Sequence, residues 1–192
     1  MTAEKWASSL LFLGVFLSLV LLGCQGCPQS AEDLPPWRFV SDAAEYEVTF
    51  PGDWRREPAG SINPFAELAA SRESTLFFMV IPQEMPQFPR AQMSEMRDLA
   101  IARLEETVED FTIDRQGHVE VDGVTGTTIF ASGRLNDRSI AYINTYLIHG
   151  DFGYQLIAFT EREHKEKLFQ EMDFILSTWR FQTSEQEAVL QE

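Results

Sequence analysis

Two short turn signals between long runs of β-forming residues constrain the fold of this chain most strongly. The dipeptides Asp122-Gly123 and Gly150-Asp151 have the composition of tight β-hairpin turns. A two-residue connection can join only antiparallel strands. The sequence therefore predicts two antiparallel hairpins. Their strands are predicted at His118–Val121, Val124–Ser132, Ser139–Ile148 and Phe152–Phe159.

Shorter runs predict additional strands. Apolar and polar residues alternate along Glu45–Phe50, as in a strand with one buried face. Leu76–Ile81 is apolar at every position, which is typical of a strand buried on both faces. Further strand signals lie at Trp37–Val40, Phe65–Ser71 and Phe111–Asp114, and Arg134–Arg138 is predicted to be a polar loop.

Two segments have helical periodicity. Within Arg90–Glu109 the apolar residues share one helical arc; they are Met93, Met96, Ala100, Ile101, Leu104 and Val108. Thr160–Glu163 has the pattern of a capping box at the start of a second helix. Glu161/Lys165 and Glu163/Lys167 are spaced as i,i+4 ion pairs on that helix. Its predicted inner stripe is Leu168, Phe169, Met172, Ile175, Leu176 and Trp179.

The order of these elements predicts an α+β fold in which helices cover a largely antiparallel sheet, that is, an α/β/α sandwich. The folded unit is expected to span residues 37–182, with Trp179–Phe181 as a short edge strand and 183–192 as an acidic tail. A domain of this size can bury enough surface to be stable without disulfides.

The chain is strongly acidic, with a formal net charge of −15. Phosphate backbones repel such a chain, so nucleic acid is not an expected partner. Anionic lipid repels it as well, so a covalently attached lipid rather than a basic patch is expected to hold the protein at a membrane. Solubility is the simplest consequence of the charge.

The N-terminal segment has the pattern of a secretory signal. Lys5 precedes an apolar run over Ala7–Gly23. The run ends in Leu21-Leu22-Gly23-Cys24, which resembles the lipobox of bacterial lipoproteins. That resemblance implies a signal peptide over residues 1–23, a diacylglycerol thioether on Cys24, and an acylated amine after cleavage. An uncleaved membrane helix or an ordinary signal peptide is the alternative, although the run is slightly short and serine-containing for a membrane span.

A lipid anchor on Cys24 would place the folded part outside the cytoplasmic membrane, with residues 24–36 as the lipidated cysteine and a polar tether. Cleavage before Cys24 makes Gln25 the second residue of the mature chain. In Gram-negative lipoproteins, a residue other than aspartate at this position slightly favours the outer membrane over the inner one. Cys24 and Cys27 are also spaced as a redox pair, but a proline-containing stretch follows them where a redox motif opens a helix. We therefore assign lipidation to Cys24. For Cys27 three interpretations stay open: a second acylation site, an intermolecular thiol, or no role.

Two segments of the folded region resemble PsbP-like and DcrB-like domains. The first is Tyr46–Trp54, which contains an aromatic-Pro-x-x-Trp pattern, and the second runs from Gly153–Leu156 to Ile175–Phe181. The resemblance implies the α/β/α sandwich predicted above, often in a lipoprotein. It implies no reaction, since relatives include extrinsic photosystem II subunits and a protein that binds a small GTPase. No functional residue of the family can be matched here.

Few residues indicate chemistry. His118, His149 and His164 lack the spacing of metal ligands. The loop that follows Leu76–Ile81 contains two large apolar residues, Met85 and Phe88. We expect them either in the core or on a surface that binds a partner. The acidic run Glu105, Glu106, Glu109 and Asp110 ends the first helix, where a divalent cation would relieve the repulsion, although a solvated helix end is the simpler interpretation.

No catalytic, cofactor-binding or metal-binding residue is assigned. We expect a membrane-anchored, non-catalytic module that binds a protein partner or organises an envelope complex. A small-ligand or divalent-cation binding lipoprotein is the alternative, and a hydrolase with an unrecognised site is a further one.

Overall fold

A computed structural model describes residues 34–85 and 91–182 and contains two antiparallel sheets and two helices. The small sheet has the order β1-β2-β10, with β1 at Trp37–Ser41, β2 at Tyr46–Phe50 and β10 at Arg180–Phe181. The main sheet has the order β3-β4-β5-β9-β8-β7-β6. Its strands are β3 (Trp54–Arg56), β4 (Leu68–Arg72), β5 (Leu76–Glu84), β6 (Glu109–Val121), β7 (Val124–Leu135), β8 (Arg138–His149) and β9 (Phe152–Glu161). The helices are α1 (Ala91–Thr107) and α2 (Lys165–Thr178), the latter preceded by a 3-10 turn at Arg162–His164.

Both predicted hairpins are confirmed. Val121 pairs with Val124 across the first turn, and His149 pairs with Phe152 across the second. Gly123 has a φ of 77°, a left-handed conformation that glycine adopts without steric cost. The prediction of a polar loop at Arg134–Arg138 is wrong, because β7 extends to Leu135 and β8 begins at Arg138. Only a third two-residue turn separates the two strands. Asn136 and Asp137 form that turn with φ angles of 51° and 65°, which side chains of Asn and Asp tolerate better than most.

The two strands predicted at Phe111–Asp114 and His118–Val121 form one strand, β6. Irregularities in its pairing with β7 lie between Glu109 and Thr112 and between Ile113 and Arg115. These bulges interrupt the apolar alternation, which is why the sequence pattern indicated two separate runs. The sequence also missed β3, a three-residue strand that pairs with β4; it is too short to show a period.

The main sheet separates two hydrophobic cores. On one face, the small sheet and α2 pack against it around the fully buried Trp54, Tyr46, Trp179 and Tyr154. On the other face, Ala100 and Leu104 of α1, together with Val108 just after the helix, pack on aliphatic and aromatic side chains. The predicted sheet covered by helices is thus confirmed, and the small sheet adds to the layer that contains α2.

The predicted start of the second helix is wrong. Thr160 continues β9, and its hydroxyl donates a hydrogen bond to the Thr75 carbonyl oxygen at 2.9 Å instead of capping a helix. Glu161 pairs with Arg138 on the neighbouring strand. Pairing within the sheet therefore overrides the local capping signal, and α2 begins five residues later.

The lysines of α2 also pair with other elements and not along the helix as predicted. Lys165 Nζ lies 3.0 Å from Asp114 Oδ2 on β6, and Lys167 Nζ lies 2.8 Å from Glu73 Oε2 beside β4. The predicted inner stripe is confirmed: Leu168, Met172, Ile175 and Trp179 are buried, and Phe169 and Leu176 pack against them.

Several predictions concern residues outside the described ranges. They are the signal peptide, Cys24, Cys27 and most of the tether, the acidic tail 183–192, and Phe88. The side chains of Met93 and Met96 are likewise outside the description.

Candidate functional site

The aromatic-Pro-x-x-Trp segment is held by a half-buried charge cluster. The guanidinium of Arg72, on β4, pairs with the carboxylates of both Asp53 and Glu171. Trp54 Nε1 donates a hydrogen bond to Glu171 Oε2 at 2.9 Å. We call these four residues the Arg72 clasp. Because it joins the turn after β2, strand β4 and helix α2, the clasp has a structural role.

The start of the described chain lies against the same segment. A Cβ atom at Gly52 would lie only 1.9 Å from the Leu34 carbonyl oxygen, so only glycine fits there. Trp37 stacks on Phe50 with ring centroids 4.4 Å apart. Its Nε1 donates a hydrogen bond to the Trp54 carbonyl oxygen at 2.7 Å. The chain therefore enters the fold beside β3.

A buried polar group lies between the small sheet and the main sheet. The Ser41 hydroxyl donates to Glu67 Oε1 at 2.6 Å. Within the described residues, the Tyr46 hydroxyl and Glu67 Oε2 are buried without a hydrogen-bond partner. Burial, followed by the nearby Glu67 charge, raises the pKa of Tyr46 far above its ordinary value. The phenol of Tyr46 therefore stays neutral at physiological pH.

A second polar group is buried under α1. Gln155 Nε2 donates long hydrogen bonds to Asn144 Oδ1 at 3.3 Å and to the Tyr146 hydroxyl at 3.4 Å. Burial raises the pKa of Tyr146 above its ordinary value. These side chains satisfy one another and lie beneath the aliphatic surface of the helix.

A cavity of about 630 Å³ adjoins this group, where the β6–β7 hairpin meets the end of β8. His118 pairs with Thr127, and Thr127 pairs with Tyr146. Directly paired residues lie on the same face of a sheet, so the cavity is on the α1 face. We call it the corner cavity; it is lined by His118, Gly123, Val124, Thr125, Gly126, Thr127 and Ile148.

The three histidines lie on separate elements. His118 lines the corner cavity, whereas His149 stacks on Phe181 with ring centroids 4.3 Å apart. His164 Nε2 lies 3.4 Å from Glu163 Oε1. Within 34–85 and 91–182, no group of three His, Cys, Asp or Glu side chains is arranged to hold a metal ion.

The acidic run at the end of α1 is only partly helical, contrary to prediction. The helix ends at Thr107, so Glu109 and Asp110 belong to β6 and are not helical neighbours of Glu105 and Glu106. Arg134 Nη2 lies 3.1 Å from Glu109 Oε2 and 3.6 Å from Asp137 Oδ1, and Nη1 lies 3.8 Å from Asp110 Oδ2. Arg134 therefore offsets part of the negative charge of Glu109 and Asp110.

Met85, predicted either for the core or for a partner surface, belongs to the core. It is 5% exposed, and a Cβ atom at Gly153 would lie 2.2 Å from its sulfur atom. In the described part of the chain, neither helix has the length and apolar character that a membrane crossing requires.

No protein-family model matches the sequence, and a search of curated proteins finds no match. Solved structures do share its fold. Cyanobacterial PsbP (CyanoP) from Synechocystis sp. PCC 6803 is 12% identical over 83% of this chain and 99% of that chain, with a TM-score of 0.58. LpqN, involved in cell envelope biogenesis of Mycobacterium tuberculosis, is 13% identical over 78% of this chain and 86% of that chain, with a TM-score of 0.58.

A yeast protein extends the comparison. The Ran-binding protein Mog1p of Saccharomyces cerevisiae is 7% identical over 78% of this chain and 96% of that chain, with a TM-score of 0.53. At these identities the likeness concerns the fold, and the predicted PsbP-like fold is confirmed.

The sequence analysis missed both the Arg72 clasp and the corner cavity. The clasp joins residues 118 positions apart, Asp53 and Glu171, so no local pattern could reveal it. The cavity arises from strand register: His118 was identified, but its neighbours Thr125, Thr127 and Ile148 appeared only as ordinary strand residues.

Proposed function

We propose that this chain is a non-catalytic accessory protein of the cell envelope. It is anchored by lipid on Cys24 and binds a protein partner at the corner cavity. Two observations support the accessory role: the PsbP-like fold, and the known associations of two proteins that share it, LpqN with cell envelope biogenesis and Mog1p with Ran. The Leu21–Cys24 pattern supports the anchor and a place outside the cytoplasmic membrane, with Gln25 favouring the outer membrane.

The corner cavity is the main structural support for a partner-binding site. The polar side chains of the Arg72 clasp and of the Gln155 group bond to one another within the fold. By contrast, His118 and Thr125 are exposed at the cavity. They present a ring nitrogen and a hydroxyl beside the apolar Ile148, a combination suited to seating one side chain of a partner.

Replacing Cys24 with Ala tests the anchor. The variant should remain an unprocessed precursor or leave the membrane fraction, because the thioether cannot form without the sulfur. Mass spectrometry of the protein recovered from each fraction measures this. Normal lipid labelling of the variant would refute the assignment, and Cys27→Ala is the matched control that should behave like the wild type.

A photocrosslinking residue at Thr125 tests the partner site. We expect a discrete adduct in intact cells at this position and none at Ser177, an exposed residue of α2 on the opposite face. Adding Thr127→Arg should abolish the adduct by filling the cavity. The same adducts from both positions, or an adduct that survives the filled cavity, would contradict this site.

A small-ligand lipoprotein is the second candidate, because the cavity volume is within the range of about 300–1,000 Å³ found for small-molecule sites. Mass spectrometry of small molecules released on denaturation separates the two: a stoichiometric compound lost in the Thr127→Arg variant favours the ligand. For the divalent-cation alternative, calcium or manganese would have to raise the melting temperature by several degrees, which we do not expect where Arg134 already pairs with the acidic residues.

A further inference from the structure

We propose that the β3 edge of the main sheet faces the bilayer and contacts anionic lipid headgroups. This inference rests on the proposed anchoring through Cys24. The surface consists of Leu34, Arg55, Arg56 and Phe65, and we call it the β3-edge surface. It lies where the chain enters the fold, and it has a chemical composition unlike the rest of this acidic protein.

The entry point sets which side of the domain is nearest to the anchor. Leu34 lies against Gly52, two residues before β3. Nine residues lie between Cys24 and Leu34, and a peptide of about that length has an average end-to-end distance on the order of 20 Å. The opposite edge, β6, is six strand spacings away, or about 29 Å. The tether therefore holds the β3 edge closer to the membrane than the β6 edge.

The distribution of unpaired basic side chains favours the same orientation of the domain relative to the membrane. Most described basic side chains are paired with acids of the fold, including Arg38, Arg72, Arg134, Arg138, Lys165 and Lys167. Arg55 and Arg56 are exposed and form no ion pair within the described residues. The guanidinium of Arg56 lies 4.7 Å from the Phe39 ring centroid, which leaves its donors available.

Two other arginines, Arg115 and Arg162, also form no ion pair within the described part of the chain, but neither belongs to the β3-edge surface. Arg115 is on the distant β6, over the Phe130 ring at 4.0 Å, and Arg162 stands between Glu161 and Glu163. Because the chain has a net charge of −15, an anionic membrane repels the remainder of the domain. Arg55 pairs with Ser71 and Arg56 with Ala70, so the two arginine side chains lie on opposite faces at the β3 edge. An edge-on approach to the membrane would bring both of them toward the headgroups.

Exposed apolar side chains accompany these arginines. Leu34 is 48% exposed and Phe65 is 41% exposed, and they are two of four large apolar side chains in the described residues with this degree of exposure. Phe65 is two residues before Glu67, which accepts a hydrogen bond from Ser41 at the end of β1. Leu34 precedes β3 and Phe65 follows it in the chain. Exposed arginine and apolar side chains near one edge of a sheet suit the interface between headgroups and acyl chains.

Energy transfer to a dye-labelled lipid tests this orientation. Donor labels are placed at Ala59→Cys, three residues after Arg56, and at Gln116→Cys on β6; both positions are exposed. Mature chains carrying Cys24→Ser and Cys27→Ser are anchored by an oligohistidine tag at residue 24 to nickel-chelating lipid in phosphatidylglycerol-containing vesicles. We expect several-fold more transfer from position 59 than from position 116. Equal transfer, or more from position 116, would overturn the proposal.

Charge reversal tests the role of the arginines. Each arginine near an anionic surface contributes roughly a fivefold bias, so Arg55→Glu with Arg56→Glu should lower the population of this orientation at least about tenfold. The matched control, Arg115→Glu with Arg162→Glu, makes the same change in net charge and should leave the transfer ratio unaltered. Should the double variant fail to fold by circular dichroism, Arg55→Glu alone, which breaks no described ion pair, gives the same comparison. An unaltered ratio in the Arg55 variants would overturn the proposal.

The design separates this proposal from the proposed function. The tag supplies an anchor at residue 24 whether or not cells acylate Cys24, so the transfer ratio reports orientation alone. A failed Cys24→Ala test with a high ratio would refute only the anchor's chemistry. A successful Cys24→Ala test with equal transfer would refute only the β3-edge surface.

Discussion

The two faces of the main sheet are built by different means. On the α2 face, Tyr46 and Trp179 stack with ring centroids 4.5 Å apart, and Tyr154 meets both edge-on. The Arg72 clasp secures the border of this layer. On the α1 face, a single helix contributes small and aliphatic side chains, and the corner cavity lies where the hairpin of β6 and β7 meets β8.

This difference indicates that stability and binding depend mainly on different faces of the main sheet. Large buried aromatic residues in a closed layer contribute much of the stability, so the α2 face resists change. The α1 face keeps polar groups accessible at one corner of the sheet. We therefore expect substitutions to affect stability mainly on the first face and binding mainly at the corner of the second.

Trp179→Ala should have the largest effect. Its fully buried ring packs on Tyr46 and Tyr154, and removing such a side chain from a core costs about 3–5 kcal/mol in the free energy of unfolding. Urea denaturation of the purified domain measures this. The control is Phe174→Ala on α2, where the ring is 45% exposed and the expected change is within about 0.5 kcal/mol. Equal losses would mean that the aromatic layer is not the main source of stability.

Arg72→Met should have the next largest effect. It leaves the half-buried carboxylates of Asp53 and Glu171 together without their shared cation. Removing one partner of such a group costs about 3 kcal/mol. Arg138→Met is the control, since the Arg138–Glu161 pair is more exposed and is worth less than about 1 kcal/mol. Similar denaturation midpoints for the two variants would contradict the structural role of the Arg72 clasp.

Gly133→Ala probes the attachment of α1. A Cβ atom there would lie 2.3 Å from Val108 Cγ1 and 2.9 Å from the Glu109 carbonyl oxygen. Overpacking of this kind costs about 1–3 kcal/mol, and it should loosen the end of α1 before the α2 face responds. Hydrogen exchange resolves the two faces. Gly117→Ala, which would meet no atom within 4 Å, should leave α1 protected; equal deprotection in both variants would contradict this attachment.

The two faces also differ in how many of their features could be predicted from the sequence. The α2 stripe from Leu168 to Trp179 was visible because helical periodicity is local, and the hairpins were visible because two residues define each turn. Thr160 shows the limit of local reasoning: the capping pattern was sound in isolation, but pairing of β9 with β8 outweighed it. The corner cavity depends on the register that brings His118, Thr127 and Tyr146 together, and no single segment encodes it.

Asp114→Asn should have the smallest effect, and it tests the ion pair that joins β6 to α2. Burial alone would raise the pKa of Asp114, but hydrogen bonds from Lys165 and Ser132 and the Lys165 charge outweigh it and hold that pKa below its ordinary value. A carboxylate with a lowered pKa stabilises the fold at pH values above about 4, its unfolded pKa, and this contribution is lost as the pH falls through the folded pKa.

The destabilisation by Asp114→Asn should therefore be below about 1 kcal/mol at neutral pH and should disappear in acid. Urea denaturation at both pH values measures it, with Glu166→Gln, an exposed change one residue after Lys165, as the control. Because Asp114 is on β6 and Lys165 begins α2, the pair joins the edge strand of the main sheet to the helix that covers it. A difference that persists at low pH would show that Asn disturbs packing there and that the ion pair does not stabilise this contact.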